Sequence, residues 1–105
     1  PIEHNVVCYR GTSYNPALGY EKGEQFFYDP FTSTSVLKKK AFRAKYLSII
    51  HIPKSARVAY IEKLSLFSYQ KELLIDKNTL FKVIDIRGKI IELEVCLYEE
   101  DDKSN

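Results

Sequence analysis

The sequence predicts an α+β domain that is rich in β-strands, with two packed, mainly antiparallel sheets and one short helix. Three observations lead to this prediction. Short apolar, β-prone segments recur along the chain and are separated by turn residues. Tyr and Phe make up 13% of the residues, which favours β structure. Only one short stretch suits a helix, and six or more strands with a single helix are typical of packed antiparallel sheets.

The predicted strands follow the apolar, β-branched and aromatic segments. Residues 31–36 alternate hydroxyl side chains between apolar ends, and residues 80–86 alternate apolar and polar side chains. The sequence Arg87-Gly88-Lys89 predicts a hairpin turn. The predicted strands comprise residues 6–9, 25–28, 31–36, 47–52, 58–61, 72–75, 80–86 and 90–98.

The remaining segments predict one helix and several loops. A short helix is expected over residues 38–46, capped near Ser35, although its apolar residues do not form a clean stripe. Residues 15–23 hold two of the four glycines and a proline, so they predict a long surface loop. Residues 63–69 are expected to be a loop with exposed aromatic side chains. One domain therefore spans residues 1–98, followed by an acidic and polar tail over residues 99–105.

Composition excludes several classes of function. The chain has 105 residues, which suits one small domain. Its formal net charge of +2 is too small to indicate nucleic-acid or membrane binding, so neither partner is expected. The apolar runs are short and interrupted by charges, which argues against a membrane-spanning segment. No signal peptide is visible, and the start at Pro1 leads us to expect a fragment of a longer protein.

The histidines and cysteines do not predict a metal site. His4 and His51 lack further ligands at metal-binding spacing, and so do Cys8 and Cys96. We expect the two cysteines to be free thiols in paired strands. The sequence leaves a disulfide between them open.

Three short stretches carry residues suited to chemistry. Gln70 and Glu72 are two positions apart at the start of a predicted strand, so in an extended chain their side chains would point to the same face. Arg10 ends a strand and offers a planar fork of donors that suits phosphate. Gly11 allows a turn or the close approach of a ligand to the backbone. The strand of hydroxyl residues lies between these two stretches along the chain.

Taken together, the stretches Tyr9-Arg10-Gly11, Phe31-Thr32-Ser33-Thr34-Ser35 and Gln70-Lys71-Glu72-Leu73-Leu74 resemble the mono-ADP-ribosyltransferases. These enzymes cleave NAD and transfer ADP-ribose to a target. The resemblance is to the R-S-E branch with a Q-x-E motif, as in bacterial toxins and effectors, and it covers residues 6–86. Another branch of these enzymes has His at the position of Arg10, so we do not assign the chain to that branch. The resemblance implies that residues 1–98 form an ADP-ribosyltransferase-like catalytic core.

The resemblance also assigns roles to individual residues. Glu72 would stabilise the oxocarbenium character that develops at the ribose when NAD is cleaved, bonded to the 2′-hydroxyl of the nicotinamide ribose. Arg10 and Gly11 would bind NAD, with Ser33 and Thr34 beside them. Ser33 would also hydrogen-bond Glu72 and hold it in place. For Thr34, as for Ser35, we favour a role in shaping the strand.

Gln70 indicates which kind of side chain accepts the ADP-ribose. Arginine-modifying relatives have Glu at this position, and a neutral carboxamide cannot act as a base. We therefore expect a non-arginine acceptor on a target protein, such as the small GTPases and actin that Q-x-E relatives modify. Phe67 and Tyr69 would contribute with Gln70 to recognition of that protein. The implied site of action is the cytoplasm of a target cell, after secretion or delivery.

Two other functions remain open at this point. One is an NAD glycohydrolase, in which water is the acceptor. The other is a non-catalytic module that binds NAD or a protein and has kept the fold. Most relatives also have a helical lobe ahead of the Arg strand, whereas nine residues precede Arg10 here. Three explanations for the missing lobe are open. The chain is a fragment of a longer toxin, or it is a minimal enzyme whose loop over residues 18–25 covers the cleft, or it needs a second chain.

Overall fold

The computed structural model describes residues 6–41, 43–53, 65–67, 72–75 and 77–96. Eight strands and one short helix lie within these ranges. Their bounds are β1 Val6–Thr12, β2 Gln25–Tyr28, β3 Thr32–Ser35, α1 Lys38–Ala41, β4 Tyr46–Ile52, β5 Ser65–Phe67, β6 Glu72–Ile75, β7 Thr79–Arg87 and β8 Ile90–Val95.

Most predicted strands are present close to their expected bounds. β2 and β6 match the prediction, and β4 and β7 extend it by one residue at one or both ends. β7 and β8 form the predicted hairpin through the two-residue turn Gly88-Lys89. Gly88 has a φ of 62°, a conformation that glycine adopts without steric cost. The expected β-rich fold with one short helix is therefore confirmed.

The strands form one mixed sheet. Its order is β2-β7-β8-β4-β1-β3-β6-β5, and the pairing is antiparallel except between β4 and β8, which run parallel. β1 and β3 are joined through a single residue pair, Tyr9 with Ser35. This junction divides the sheet into a five-stranded part (β2, β7, β8, β4 and β1) and a three-stranded part (β3, β6 and β5). The two sheets that we predicted are thus two parts of one hydrogen-bonded sheet.

Both parts contribute to a single hydrophobic core. Leu73 and Ile75 of β6 belong to the same buried cluster as residues of β1, β2, β4, β7 and β8. Because each fully buried aliphatic side chain stabilises the fold by about 1.5–3 kcal/mol, this shared cluster holds the two parts together. The buried members from the five-stranded part are Cys8, Phe26, Ile50, Ile52, Phe81, Val83, Ile91, Leu93 and Val95.

Two predicted segments differ in the structure. The helix is four residues long rather than nine, and Tyr46 pairs with Thr12 as the first residue of β4. Its apolar residues lack helical spacing, so a longer helix would have no continuous face to bury. Gly11 and Thr12 continue β1 instead of turning, because they pair with Leu47 and Tyr46.

Two further differences concern β5 and β8. Ser65–Phe67 form an edge strand against β6 rather than part of a loop, since a partner strand lies beside them. β8 ends at Val95, before the predicted residue 98. The predicted strand at 58–61 and the tail at 99–105 lie outside the described residues. Within the described part of the chain, no helix is long and apolar enough to cross a membrane.

Candidate active site

Arg10 connects the two parts of the sheet. It lies on β1 between Cys8 and Thr12, whose side chains are buried, so all three share the inner face. Its Nη1 donates to the main-chain carbonyl of Ser33 at 3.3 Å, and its Nη2 donates to the Tyr14 hydroxyl at 3.2 Å. The first bond reaches β3 beside the single pair that joins β1 to β3. Arg10 is therefore held at the junction of the two parts.

A pair of tyrosines supports the other side of the guanidinium. The hydroxyl oxygens of Tyr14 and Tyr28 are 2.6 Å apart. The hydrogen bond with Tyr28 and the charge of Arg10 lower the pKa of Tyr14. Partial burial and the bond to Tyr14 raise the pKa of Tyr28.

The hydroxyl residues of β3 have different environments. Thr32 and Thr34 are buried, whereas Ser33 is exposed. Thr34 Oγ1 donates to the carbonyl of Leu73 at 2.7 Å, so it fastens β3 to β6. Ser35 Oγ accepts the main-chain N–H of Leu37 at 2.9 Å, just ahead of α1. The structural roles that we favoured for Thr34 and Ser35 are therefore visible as hydrogen bonds, while a contact of Thr34 with NAD stays a prediction.

The register of β3 and β6 brings the second and third motifs together. Ser35 lies opposite Glu72, and Ser33 lies opposite Leu74 in this antiparallel pair. The backbone of Glu72 is thus two positions from the partner of Ser33, a diagonal relation of about 7–8 Å in a sheet. The backbone positions of Ser33 and Glu72 are consequently diagonal neighbours on the three-stranded part, next to the strand that carries Arg10.

Gly11 has a packing role in addition to the one predicted for it. A Cβ atom placed on Gly11 would lie 2.6 Å from Ala44 Cβ and 2.7 Å from the carbonyl oxygen of Ala41. Both distances are too short for any side chain atom. The close packing of β1 against the end of α1 therefore requires glycine at this position. The predicted contact of its backbone with NAD stays a prediction.

An open pocket lies beside Arg10, with about 270 Å³ of empty space including solvent at its mouth. Thr32 and Ser48, which are 3% and 1% exposed, line it with hydroxyl groups. Within the described part of the chain, neither hydroxyl has a hydrogen-bond partner. Water or a polar group of a ligand in the pocket would satisfy them. The other lining residues are Pro16, Phe26, Tyr28, Ile50, Phe81 and Leu93.

Comparison with known proteins gives the family of this chain. A sequence model of the ADP-ribosyltransferase exoenzyme family matches residues 1–104, almost the whole chain. The chain belongs to the ADP-ribosyltransferase exoenzymes. The family resemblance drawn from the three motifs is therefore confirmed. Comparison with curated protein sequences gives no significant match.

Solved structures of other exoenzymes share the fold of this one. The C3 exoenzyme of Clostridium limosum superimposes with a TM-score of 0.68 at 18% identity, over 92% of this chain and 62% of that chain. Plx2a, an ADP-ribosyltransferase toxin of Paenibacillus larvae, has a TM-score of 0.67 at 19% identity, over 91% and 63% of the two chains.

A third neighbour is exoenzyme S of Pseudomonas aeruginosa, solved with human 14-3-3 protein beta and carba-NAD. Its TM-score is 0.63 at 24% identity, over 88% of this chain and 48% of that chain. At such identities the likeness establishes the fold. The present exoenzyme chain spans less than two thirds of each of the three structures.

The structure places only some of the predicted site residues of this exoenzyme. Arg10, Gly11, Ser33 and Thr34 are described, and Glu72 is described through its backbone in β6. Phe67 is described through its backbone, opposite Glu72 in β5. Tyr69 and Gln70 lie outside the described residues. The expected recognition of an acceptor by Phe67, Tyr69 and Gln70 therefore stays a prediction.

Sequence analysis missed the two tyrosines that contact Arg10 and each other. Tyr28 lies on β2 at the far edge of the sheet from β5, and β2 pairs only with β7 among the described strands. Nothing local in the sequence indicates that Tyr28 meets Tyr14 and Arg10. The one available signal was the position of Tyr14, four residues after Arg10 at the start of the glycine-rich loop.

The two cysteines are not joined by a disulfide. The prediction that they lie in paired strands is wrong, because Cys8 is on β1, which pairs with β3 and β4, and Cys96 follows β8. Burial raises the pKa of the Cys8 thiol to about 11, although a hydrogen bond with Thr34 opposes this shift. Partial burial, together with the charge of Glu94, raises the pKa of Cys96. Neither thiol is therefore suited to act as a nucleophile at neutral pH. The described residues contain no group of three or more His, Cys, Asp or Glu side chains that could hold a metal ion.

Proposed function

We propose that this chain is the catalytic core of a mono-ADP-ribosyltransferase that cleaves NAD and transfers ADP-ribose to a protein side chain. One observation carries the proposal. On the fold of the exoenzymes, Arg10 bonds the backbone of Ser33, and the register of β3 with β6 brings Glu72 next to Ser33. Arg10, which offers donors for phosphate, thus contacts the strand that carries Ser33, and Glu72 lies on the next strand of the sheet.

The residues present fit NAD as a substrate. Arg10 has five N–H donors, and two of its nitrogens bond Ser33 and Tyr14, so further donors remain for an anionic pyrophosphate. The carboxylate of Glu72 would stabilise positive charge on the ribose as the bond to nicotinamide breaks. Ser33 would hold that carboxylate towards the ribose. The chemistry needs no metal, because a carboxylate and hydrogen bonds supply the stabilisation, as they do in glycoside hydrolysis.

We further propose that the acceptor is a side chain other than arginine. Support comes from Gln70, which is neutral and cannot deprotonate a guanidinium group. The target would be a protein inside a cell to which the exoenzyme is secreted or delivered. Small GTPases and actin are the first candidates to examine, because relatives with the Q-x-E motif act on them.

The acceptor is tested with NAD that is radiolabelled in its adenylate phosphate. The wild-type chain is incubated with a cell lysate and, separately, with agmatine, which presents a free guanidinium group. We expect label on lysate protein and none on agmatine. Gln70→Glu is the matched variant, and it should gain activity towards agmatine because its carboxylate attracts the guanidinium. Modification of agmatine by the wild type would contradict the non-arginine acceptor, and release of free ADP-ribose alone would indicate a glycohydrolase.

A further inference from the structure

We propose that Tyr14 and Tyr28 are positioning residues that hold the Arg10 guanidinium in the orientation that receives the phosphates of NAD. This inference rests on the proposed function, since it concerns the same site. It starts from the contacts around Arg10. One nitrogen of the guanidinium is bonded to β3 through the Ser33 carbonyl, and another is bonded to Tyr14, whose hydroxyl is backed by Tyr28. The group is thus held on two sides.

Both tyrosines are themselves anchored. Thr12 Oγ1 donates to the main-chain carbonyl of Tyr14 at 2.6 Å, which fixes the start of the loop against β1. Tyr28 ends β2, pairs with Thr79 of β7, and presents its ring to Phe81 at a centroid distance of 6.5 Å with an edge-on geometry. The support for Arg10 therefore extends from a loop to a strand in the sheet.

The benefit of such support is a smaller entropic cost of binding. Arginine has a long side chain with many rotamers, and immobilising it on ligand binding reduces affinity. A guanidinium that the tyrosines already hold loses less freedom when phosphate arrives. The exposed position of Tyr14, which is 46% accessible, leaves room for the ligand beside it. Tyr28 and Arg10 also line the pocket that contains the hydroxyls of Thr32 and Ser48, which have no partner among the described residues, so this support lies at the wall of the cavity.

The first test compares Tyr14→Phe and Tyr28→Phe with the wild type by calorimetric titration with NAD and by steady-state kinetics. Each variant keeps the ring and removes the hydroxyl. We expect the Kd for NAD to rise about three- to tenfold, the effect of one lost hydrogen bond. The kcat should stay unchanged, because Arg10 binds phosphate equally in the ground state and the transition state. The double variant should resemble the single ones, since both act through one hydroxyl pair.

Tyr20→Phe is the matched control. Tyr20 lies in the same loop and stacks on Phe26 with ring centroids 4.7 Å apart, and its hydroxyl makes no hydrogen bond to the described residues. It should bind NAD as the wild type does. All variants should have the thermal midpoint of the wild type. Unchanged affinity in Tyr14→Phe, or a fall in kcat at unchanged Kd, would overturn the proposal.

A second measurement separates this proposal from the proposed function. The mobility of the Arg10 Nε–H group is measured by NMR relaxation in the isotopically labelled chain without ligand. We expect greater mobility in Tyr14→Phe than in Tyr20→Phe, and equal mobility would overturn the positioning role whether or not NAD binds. Arg10→Lys keeps the charge and loses the fork of donors. If Arg10→Lys binds NAD like the wild type, the assigned role of Arg10 fails, while the mobility result still stands.

Discussion

The neighbouring hydroxyl residues of β3 have different roles. Thr34 is buried and bonds the backbone of β6, whereas Ser33 is exposed beside the position of Glu72. The motif of alternating hydroxyl residues predicted a strand of this kind, because alternate side chains point to opposite faces. It could not show that the Ser33 carbonyl, rather than its hydroxyl, accepts the bond from Arg10. Backbone acceptors have no signature in the sequence.

The close packing around Gly11 predicts how a substitution there changes the stability of the fold. Gly11→Ala should destabilise the fold by about 1–3 kcal/mol, because the new methyl group would overlap Ala44 and the carbonyl of Ala41. Urea unfolding measures the difference. The double variant Gly11→Ala with Ala44→Gly should recover part of the loss, since one of the two overlaps disappears. A Gly11→Ala variant as stable as the wild type would contradict the packing role.

The sequence predicted the bounds of the strands better than it predicted which strands pair. Segments such as 25–28 and 72–75 were predicted at their observed bounds, because β-prone residues between turn residues are a local signal. The helix was predicted too long, since tertiary pairing of Tyr46 with Thr12 overrides a weak helical pattern. The parallel pairing of β4 with β8 and the edge strand β5 depend on contacts distant in sequence. No local pattern encodes such contacts.

A charged network on β4, β7 and β8 predicts that the stability of the fold depends on pH. Glu92 lies 2.6 Å from His51 Nε2 and 3.0 Å from Arg87, which also pairs with Asp85 at 2.7 Å. The hydrogen bonds from His51 and Arg87 lower the pKa of Glu92 in the folded state. Its contribution to stability is therefore complete above pH 4.5, the usual pKa of glutamate, and is lost as the pH falls through the lowered value.

Glu92→Gln tests this dependence by urea unfolding between neutral pH and pH of about 3. The variant should be less stable than the wild type at neutral pH, and the difference should shrink as the pH falls below the usual pKa of glutamate. Glu21→Gln is the control, because Glu21 is exposed in the loop after β1 and forms no ion pair with the described residues. A difference that is constant with pH would show that the network does not stabilise the fold through ionised Glu92.

For the molecule as a whole, the candidate site lies at the junction of the two parts of the sheet. Arg10 lies on the five-stranded part, and Ser33 and Glu72 lie on the three-stranded part. Among the described residues, one backbone pair and a side-chain bond from Arg10 connect the two parts there. A shared core keeps the parts in place. The sequence predicted the family from three motifs. It could not predict that the strands of these motifs, β1, β3 and β6, are neighbours in the sheet, because sheet order is a property of the whole chain.

The most direct test of the account is the release of nicotinamide from NAD by the wild-type chain and by Glu72→Gln, which has the same shape without the charge. We expect release by the wild type and a loss of at least about a hundredfold in the variant, the scale of one lost electrostatic contribution to the transition state. The thermal midpoints of the two proteins should agree. Equal rates, or no release by the wild type, would contradict the conclusion that this chain is an NAD-cleaving core with Glu72 at its centre.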